Sequence, residues 1–120
     1  MSFQFPPAIR LRARHEFAAV QDHGRRVATK YLTLLGRPNA GDRDRLGIIA
    51  SRRLGGAVTR NRAKRRLREV FRTQRSDTTL MADARTLDLV AIPRRELLTV
   101  PLPVVEADFQ GALRRLRALK

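Results

Sequence analysis

Apolar residues recur along the chain with two different periods, which together predict three helices and three strands. A spacing of about 3.6 residues places apolar side chains on one face of a helix, whereas alternation places them on one face of a strand. The helical spacing occurs in three segments, 12–22, 57–74 and 103–119. Alternating or continuous apolar runs predict strands at 26–37, 45–53 and 87–92. The resulting order, αββαβα, is typical of a mixed sheet with helices packed on it.

Glycine and polar residues separate these segments and predict how they connect. Gly55 and Gly56 interrupt the chain before the central helix. Residues 38–42 have turn composition and join two strands so closely that these strands should pair antiparallel. The polar stretch 76–85 is predicted to be a surface loop. Because no repeat or change of composition divides the chain, residues 1–120 should form a single domain.

The central helix carries the strongest indication of function. The stretch Thr59–Arg75 holds eight basic residues and one acid, Glu69. An apolar stripe would dock this helix on a core, and it consists of Ala63, Leu67, Val70, Phe71 and Gln74. A basic ridge falls on roughly the opposite side, and it consists of Asn61, Arg65, Arg68 and Arg72. Unneutralised like charges destabilise a helix, so the ridge favours a polyanionic partner over a merely solvated face.

Composition supports the same partner. The 120 residues carry a formal net charge of +15, and 42% of them are hydrophobic, which is enough for a folded core. Nucleic acid is the first candidate, because such an excess attracts any polyanion. An anionic membrane surface is the second, but no amphipathic helix with bulky aromatic residues and no apolar run of membrane-spanning length is present. The absence of cysteine and of a signal-peptide pattern fits a cytoplasmic protein.

The acidic and histidine residues do not suggest a nuclease that acts alone. Metal-assisted cleavage of a phosphodiester needs several acids that converge on one point. The eleven acidic residues are scattered, and the only close pair, Asp42 and Asp44, lies in turn-like sequence. His15 and His23 are too few for a histidine metal cluster. The sequence therefore predicts no catalytic residue in this chain and leaves any metal ligand unknown.

Two neighbouring motifs carry a resemblance to a known protein family. The first is a strand motif formed by Leu46, Gly47, Ser51, Arg52 and Arg53. The second is an Arg-Asn-Arg motif with further basic residues in the same helix, formed by Arg60, Asn61, Arg62, Lys64, Arg65 and Arg68. Together with the flanking elements, these motifs resemble the protein subunit of bacterial ribonuclease P over roughly residues 11–109, and residues 1–120 would then form a single RNA-binding domain.

The resemblance implies a fold and a division of labour. The fold would be an α/β (α+β) two-layer sandwich of order α-β-β-(β)-α-β-α, ribosomal protein S5 domain 2-like, with the first extended stretch split into two short strands. Its mixed sheet would contain a left-handed βαβ crossover through the basic helix, which ordinary handedness rules disfavour. A large RNA subunit would perform the hydrolysis with magnesium that is held mainly by that RNA. The protein would bind that RNA and the 5′ leader of precursor tRNA, and no obligate protein partner is expected.

Two sets of residues carry these expectations. The set expected to bind the catalytic RNA is Arg52, Arg53, Arg60, Asn61, Arg62, Lys64, Arg65, Arg68 and Arg72. The set expected to line a leader cleft between the first helix and the sheet is Phe17, Gln21, Tyr31, Thr33 and Leu35. Gln21 and Leu35 stand where family members often have aromatic residues, and Tyr31 would compensate from the same strand face. Arg114, Arg115 and Arg117 are interpreted as a solvated helix end.

Two other functions remain open from the residues alone. A DNA-binding protein could place the basic helix in a major groove, but Asn61 is the only neutral side chain on the ridge suited to reading bases. No preceding helix forms a helix-turn-helix either. A structural component of the ribosome or of another ribonucleoprotein fits the composition equally well.

Overall fold

Three helices and four strands make up the described part of the chain. The structure, a computed structural model, describes residues 10–39, 41, 43–78 and 86–118, and the backbone alone within 74–78. The helices are α1 (Arg14–His23), α2 (Ala57–Thr78) and α3 (Leu102–Ala118). The strands are β1 (Arg25–Ala28), β2 (Leu32–Pro38), β3 (Arg45–Ile48) and β4 (Leu87–Pro93). Short 3-10 helices occur at Arg52–Leu54 and Arg95–Leu98.

The four strands form one mixed sheet in the order β1-β2-β4-β3. β1 pairs antiparallel with β2, β2 pairs antiparallel with β4, and β3 pairs parallel with β4. The mixed α+β fold is therefore confirmed, with α2 as the crossover between two neighbouring parallel strands. The hand of this crossover stays a prediction.

The predicted antiparallel pairing of the strands on either side of 38–42 is wrong, because β4 lies between β2 and β3. The start of β4 is held by two side chains, Asp44 immediately before β3 and Arg45 at its first position. The Asp44 carboxylate accepts the Leu87 N–H at 2.7 Å. Arg45 donates to both carboxylate oxygens of Asp88, from Nε at 2.9 Å and from Nη2 at 2.8 Å. These long-range contacts fasten β4 beside β3, and the short loop after β2 passes over the inserted strand.

The predicted single strand at 26–37 is two strands, as the resemblance implied. A tight turn at Thr29 separates them: the Thr29 N–H donates to the Leu32 carbonyl at 2.8 Å. The Thr29 hydroxyl donates to Asp108 of α3 at 2.6 Å and accepts the N–H groups of Tyr31 and Leu32. The alternation of residue types continues through this turn, so the period alone gives no sign of the break.

Two other boundaries differ from the prediction. The strand predicted at 45–53 ends at Ile48, and its last residues form the 3-10 helix at Arg52–Leu54. α2 continues to Thr78, although the sequence predicted a loop from residue 76. Neither glycine nor proline occurs between residues 74 and 78, so nothing local stops the helix. Residues 79–85 of the predicted loop lie outside the described residues.

Both faces of the sheet are covered, but unequally. α2 and α3 lie against one face and enclose the larger apolar cluster, which includes Leu32, Leu34, Leu67, Phe71 and Phe109. Together, these helices and the sheet form the two layers of the sandwich. α1 covers part of the opposite face, where a smaller cluster contains Leu11, Val20, Leu35 and Val90. Because β2 and β4 are buried on both faces, their sequences read as nearly continuous apolar runs.

Candidate nucleic-acid interface

The apolar stripe of α2 determines which of its basic residues face outward. Ala63, Leu67 and Val70 are fully buried and Phe71 is 2% exposed, as the helical spacing predicted. The opposite side of the helix consequently points away from the sheet. Asn61, Arg62, Arg65 and Arg72 are exposed, whereas Arg60, Lys64 and Arg68 are partly buried. All described members of the predicted basic set on α2 therefore reach the surface to some extent, and they lie along one helix.

A tight turn brings two more arginines to the start of α2. Gly55 has a φ of 145°, and a Cβ added there would lie 3.0 Å from the Thr59 side chain, so this position requires glycine. The turn places the 3-10 helix of Arg52 and Arg53, both exposed, directly before α2. Arg95 joins this group, because its guanidinium donates to the Arg53 carbonyl at 3.5 Å. The expected proximity of Arg52 and Arg53 to the basic helix is therefore observed.

Arg66 is the basic residue of α2 that has a clear structural role. Its guanidinium donates to the Leu97 carbonyl at 2.9 Å and to the Val100 carbonyl at 2.7 Å. These bonds tie the middle of α2 to the segment that follows β4. Both bonds come from Nη1, so this nitrogen of the guanidinium is not available to a phosphate, and Arg66 was not among the residues expected to bind RNA.

Arg10 extends the basic surface beyond α2, and sequence reasoning missed it. The Leu11 N–H donates to the Leu46 carbonyl at 3.0 Å, so the segment containing Arg10 lies along the outer edge of β3. Burial lowers the pKa of Arg68, and the positive charge of Arg10 lowers it further. Two guanidinium groups thus lie close together beside β3. No periodic signal could have found this pair, because residues so far apart in sequence meet only in the fold.

One part of the ridge is neutralised, contrary to the prediction that no acid compensates it. Arg72 Nε donates to Glu69 Oε2 at 3.3 Å, and a second bond joins Nη2 to Oε1. The hydrogen bond from Arg72 lowers the pKa of Glu69, and the same bond raises the pKa of Arg72. The two residues lie almost one helical turn apart, where opposite charges attract each other. Because its guanidinium already binds Glu69, Arg72 is a weaker candidate for a phosphate contact than Arg65 is.

A second candidate surface lies on the other face of the sheet, beside α1. Near its start, Glu16 of α1 accepts Arg45 Nη1 of β3 at 2.8 Å. Beyond its end, a Cβ on Gly24 would lie 2.9 Å from the Gly36 carbonyl of β2, and β1 follows at once. α1 therefore crosses the sheet from the β3 side to the β1 side, over the end where Arg45 pairs with Asp88.

The N-terminal turn of α1 is held firmly in place. The Glu16 carboxylate accepts the N–H groups of Arg12 and Ala13, each at 3.0 Å, as well as Arg45. Chiefly because of these two backbone bonds, and further because of Arg45, the pKa of Glu16 falls from 4.5 to about 2. Arg45 in turn has a raised pKa, mainly through its bonds to Asp88.

Part of this face of the sheet lies beside α1 and is not covered by it. Ala28, Thr33 and Ile92 are neighbours across β1, β2 and β4, and Ile49 follows β3, its N–H bonded to the Ala91 carbonyl at 3.0 Å. Phe17 of α1, Ile49 and Ile92 are half-buried and pack against the smaller apolar cluster. We call this surface the α1 groove and define it by Phe17, Ala28, Thr33, Ile49 and Ile92.

The predicted leader residues fall in different places. Phe17 lies in the α1 groove, and Gln21, one turn later in α1, is exposed. Thr33 and Leu35 face the α1 side as expected, but they are only 6% and 8% exposed, so Thr33 forms part of the floor of the groove and Leu35 is covered by the smaller cluster. The expectation for Tyr31 is wrong. It precedes β2 and packs against the larger cluster on the opposite face, because the Thr29 turn breaks the strand alternation.

Ile49 and Ile92 were missed, although a signal for Ile92 was available. Ile92 lies two residues after Val90 in a strand, which places both side chains on the same face.

Arg117, interpreted from sequence as solvated, donates to Asp44 at 2.9 Å, and its side chain is 18% exposed. Asp44, the described member of the predicted acidic pair, therefore has a structural role.

Two features are absent from the described residues. Among residues 10–39, 41, 43–78 and 86–118, no group of three or more histidine, cysteine or acidic residues could hold a metal ion. In the same part of the chain, no helix is both long and apolar enough to span a bilayer. The fold and its surfaces define a class: a small basic α+β protein with an arginine-rich helix on one face of its sheet and a groove on the other.

Comparison with known proteins places the chain within that class. A family profile described as Ribonuclease P matches residues 5–117. The chain is 35% identical over 97 residues to the ribonuclease P protein component of Thermotoga maritima, covering 81% of this chain and 79% of that one. It is 39% identical over 108 residues to the Chloroflexus aggregans component, covering 90% and 77%.

Solved structures agree. The RNase P protein from Thermotoga maritima matches with a TM-score of 0.73 and 31% identity, over 92% of this chain and 97% of that one. The Staphylococcus aureus RNase P protein matches with a TM-score of 0.72 and 25% identity, over 88% and 93%. The chain therefore belongs to the ribonuclease P protein family, and it is a protein subunit of the enzyme that processes the 5′ ends of tRNA.

Proposed function

We propose that this chain binds the catalytic RNA of ribonuclease P through α2 and holds the 5′ leader of precursor tRNA in the α1 groove. The observation that carries the proposal is the separation of two surfaces by one sheet. The arginine-rich side of α2 and the half-buried apolar side chains of the α1 groove belong to opposite faces. One protein of this size could thus contact two RNA segments at once.

The chemistry of each surface suits its proposed partner. Guanidinium groups form paired hydrogen bonds with phosphate oxygens, so Arg62, Arg65 and the exposed pair Arg52 and Arg53 suit the backbone of a folded RNA. Phe17 is aromatic and only half-buried, so it suits stacking of an unpaired base. Ala28, Ile49 and Ile92 are aliphatic and provide apolar contact, whereas Thr33 is the polar member of the groove and is only 6% exposed.

Hydrolysis belongs, in this proposal, to the RNA subunit and to magnesium that it holds. The described residues include no acidic or histidine cluster that fits a catalytic metal. The protein would act by positioning the leader and by neutralising phosphates near the cleavage site. A cytoplasmic location is part of the same proposal.

The decisive experiment compares the protein with and without RNA. Rigorously RNA-free protein should not cleave precursor tRNA at any magnesium concentration, whereas adding it to a cognate catalytic RNA should stimulate cleavage. RNA recovered with the protein from cell lysate should be enriched in that catalytic RNA. Cleavage by the protein alone, or recovery of ribosomal RNA or DNA instead, would overturn the proposal.

A further inference from the structure

The α1 groove runs across the strands of the sheet. It therefore has two ends, and an RNA bound in it could leave the sheet at either one. Ile49 lies at the β3 side, Ile92 and Thr33 lie in the middle, and Ala28 lies on β1. β1 is an edge strand, since it pairs with β2 alone in the sheet. An RNA that leaves the groove at this end would therefore pass over the outer edge of β1.

Arg26 stands at this β1 side of the groove. It pairs in register with Leu35, whose side chain lies under α1, so Arg26 is on the same face as the groove. Its neighbour Arg25 pairs with Gly36, which faces Leu116 of α3, so Arg25 is on the opposite face. Both arginines are exposed. Within the described part of the chain, neither forms an ion pair or a hydrogen bond through its side chain.

The position of the basic residues of α2 indicates the direction in which a leader would lie in the groove. Ile49 is followed within a few residues by Arg52 and Arg53, which begin the α2 surface. If the catalytic RNA lies against α2, the cleavage site that it holds is nearer to the β3 side than to the β1 side. Leader nucleotides close to the cleavage site would then enter beside Phe17 and Ile49. Nucleotides farther toward the 5′ end would leave over β1.

We propose that Arg26 binds the backbone phosphates of these distal leader nucleotides, as the leader leaves the α1 groove at the edge strand β1. The inference rests on the proposed function, because it needs a leader in the groove. It adds a contact that depends on leader length. Three strand spacings of about 4.8 Å separate β3 from β1, about 14 Å in all. At about 3.4 Å per stacked nucleotide, crossing the sheet takes about four nucleotides.

The test uses the assembled enzyme, made from the protein and its cognate catalytic RNA, with precursor tRNAs whose leaders are shortened one nucleotide at a time. Arg26→Ala should weaken binding about twofold to fivefold, the range for exposed charge pairs, and only for leaders long enough to reach β1. Arg25→Ala is the matched control, since it removes the same charge from the same strand on the other face. Arg26→Lys should keep most of the affinity, because it keeps the charge.

The outcomes separate this inference from the proposed function. Equal losses for Arg25→Ala and Arg26→Ala would reduce the effect to general charge and overturn the inference. So would a loss from Arg26→Ala that persists with the shortest leaders or with mature tRNA. If Phe17→Ala shows no preference for leader-bearing substrate, the leader does not lie in the groove and the proposed function fails first. A leader effect at Phe17 without one at Arg26 overturns only the path over β1.

Discussion

The ring of Phe17 lies directly on the backbone of Gly47. A Cβ built on Gly47 would come within 2.5 Å of the Phe17 ring atoms Cε1 and Cζ, and within 3.0 Å of the Leu11 Cβ. Glycine at this position of β3 is therefore the reason why an aromatic ring can rest against the sheet. The same contact anchors the β3 side of the α1 groove.

Gly47→Ala should destabilise the fold by about 1–3 kcal/mol, the usual range for overpacking, because the ring or α1 must move. Denaturant unfolding monitored by circular dichroism measures the change. Gly111→Ala is the matched control of opposite sign. Nothing lies within 4 Å of a Cβ at Gly111, which is inside α3, so alanine should stabilise by about 0.5–1 kcal/mol. Equal stability of the wild type and Gly47→Ala would mean that Phe17 is not packed as described.

Local patterns were sufficient to predict the elements that bury one continuous face. The members Ala63, Leu67, Val70 and Phe71 of the α2 stripe are buried, and so are the residues Val105, Phe109 and Leu116, which are helix-spaced in α3. Of the predicted stripe, the Gln74 side chain lies outside the described residues. Both patterns arise from a helix in contact with one core, which is a local property of the sequence. The basic ridge follows from the same geometry, since it is the side that the stripe leaves outward.

Strand order and the groove could not be read in this way. The insertion of β4 between β2 and β3 depends on Asp44 and Arg45, which bind Leu87 and Asp88 far along the chain. Tyr31 kept the alternating period but lies outside β2, because the hydroxyl of Thr29 organises a turn. The contacts between the start of β3 and the start of β4 form only after the chain has folded, so no short window of sequence contains them. The Thr29 turn is local, but the alternation of residue types continues through it and hides the break.

Substitution of two adjacent arginines of α2 should distinguish a residue that binds RNA from one that stabilises the fold. Arg65 is exposed, whereas Arg66 binds the Leu97 and Val100 carbonyls. Arg65→Ala should flatten the slope of log affinity against log salt by about 0.7–0.9, one phosphate contact, and leave stability nearly unchanged. Arg66→Ala should lower the unfolding free energy by about 1–3 kcal/mol, since two acceptors lose a charged donor.

Affinity titrations of the catalytic RNA at several salt concentrations give the slope, and denaturant unfolding gives the stability. The two variants remove the same charge from neighbouring positions, so each serves as the control for the other. An unchanged slope for Arg65→Ala would return Arg65 to a solvated surface role.

The Glu16 carboxylate should stabilise the protein in a pH-dependent way. Its pKa is about 2 in the fold and 4.5 ordinarily, so its contribution is fully present above 4.5 and is lost as the pH falls toward 2. A shift of this size corresponds to about 3 kcal/mol, which partial exposure and screening reduce to about 1–2 kcal/mol. Glu16→Gln should therefore be less stable near pH 7, and the difference should narrow below pH 4.5.

Denaturant unfolding of both proteins across this pH range measures the difference. Glu69→Gln is the control, because Glu69 lies in a more exposed ion pair with Arg72 and should change stability much less. A stability difference that stays constant from neutral to acidic pH would exclude an ionised Glu16 as its source.

In the assembled enzyme, Phe17→Ala should weaken the binding of precursor tRNA much more than the binding of mature tRNA. Removing one stacking platform costs about 1–3 kcal/mol, and the low end applies here because no other side chain of the groove is aromatic. Precursor binding should therefore weaken about fivefold, while mature tRNA, which lacks a leader, should bind nearly as before. Because Phe17 also packs against Gly47, its loss will lower stability too, so the melting temperature has to be measured beside both affinities. A purely structural role predicts equal losses for the two tRNAs, in proportion to the protein left unfolded, and that result would exclude Phe17 from leader binding.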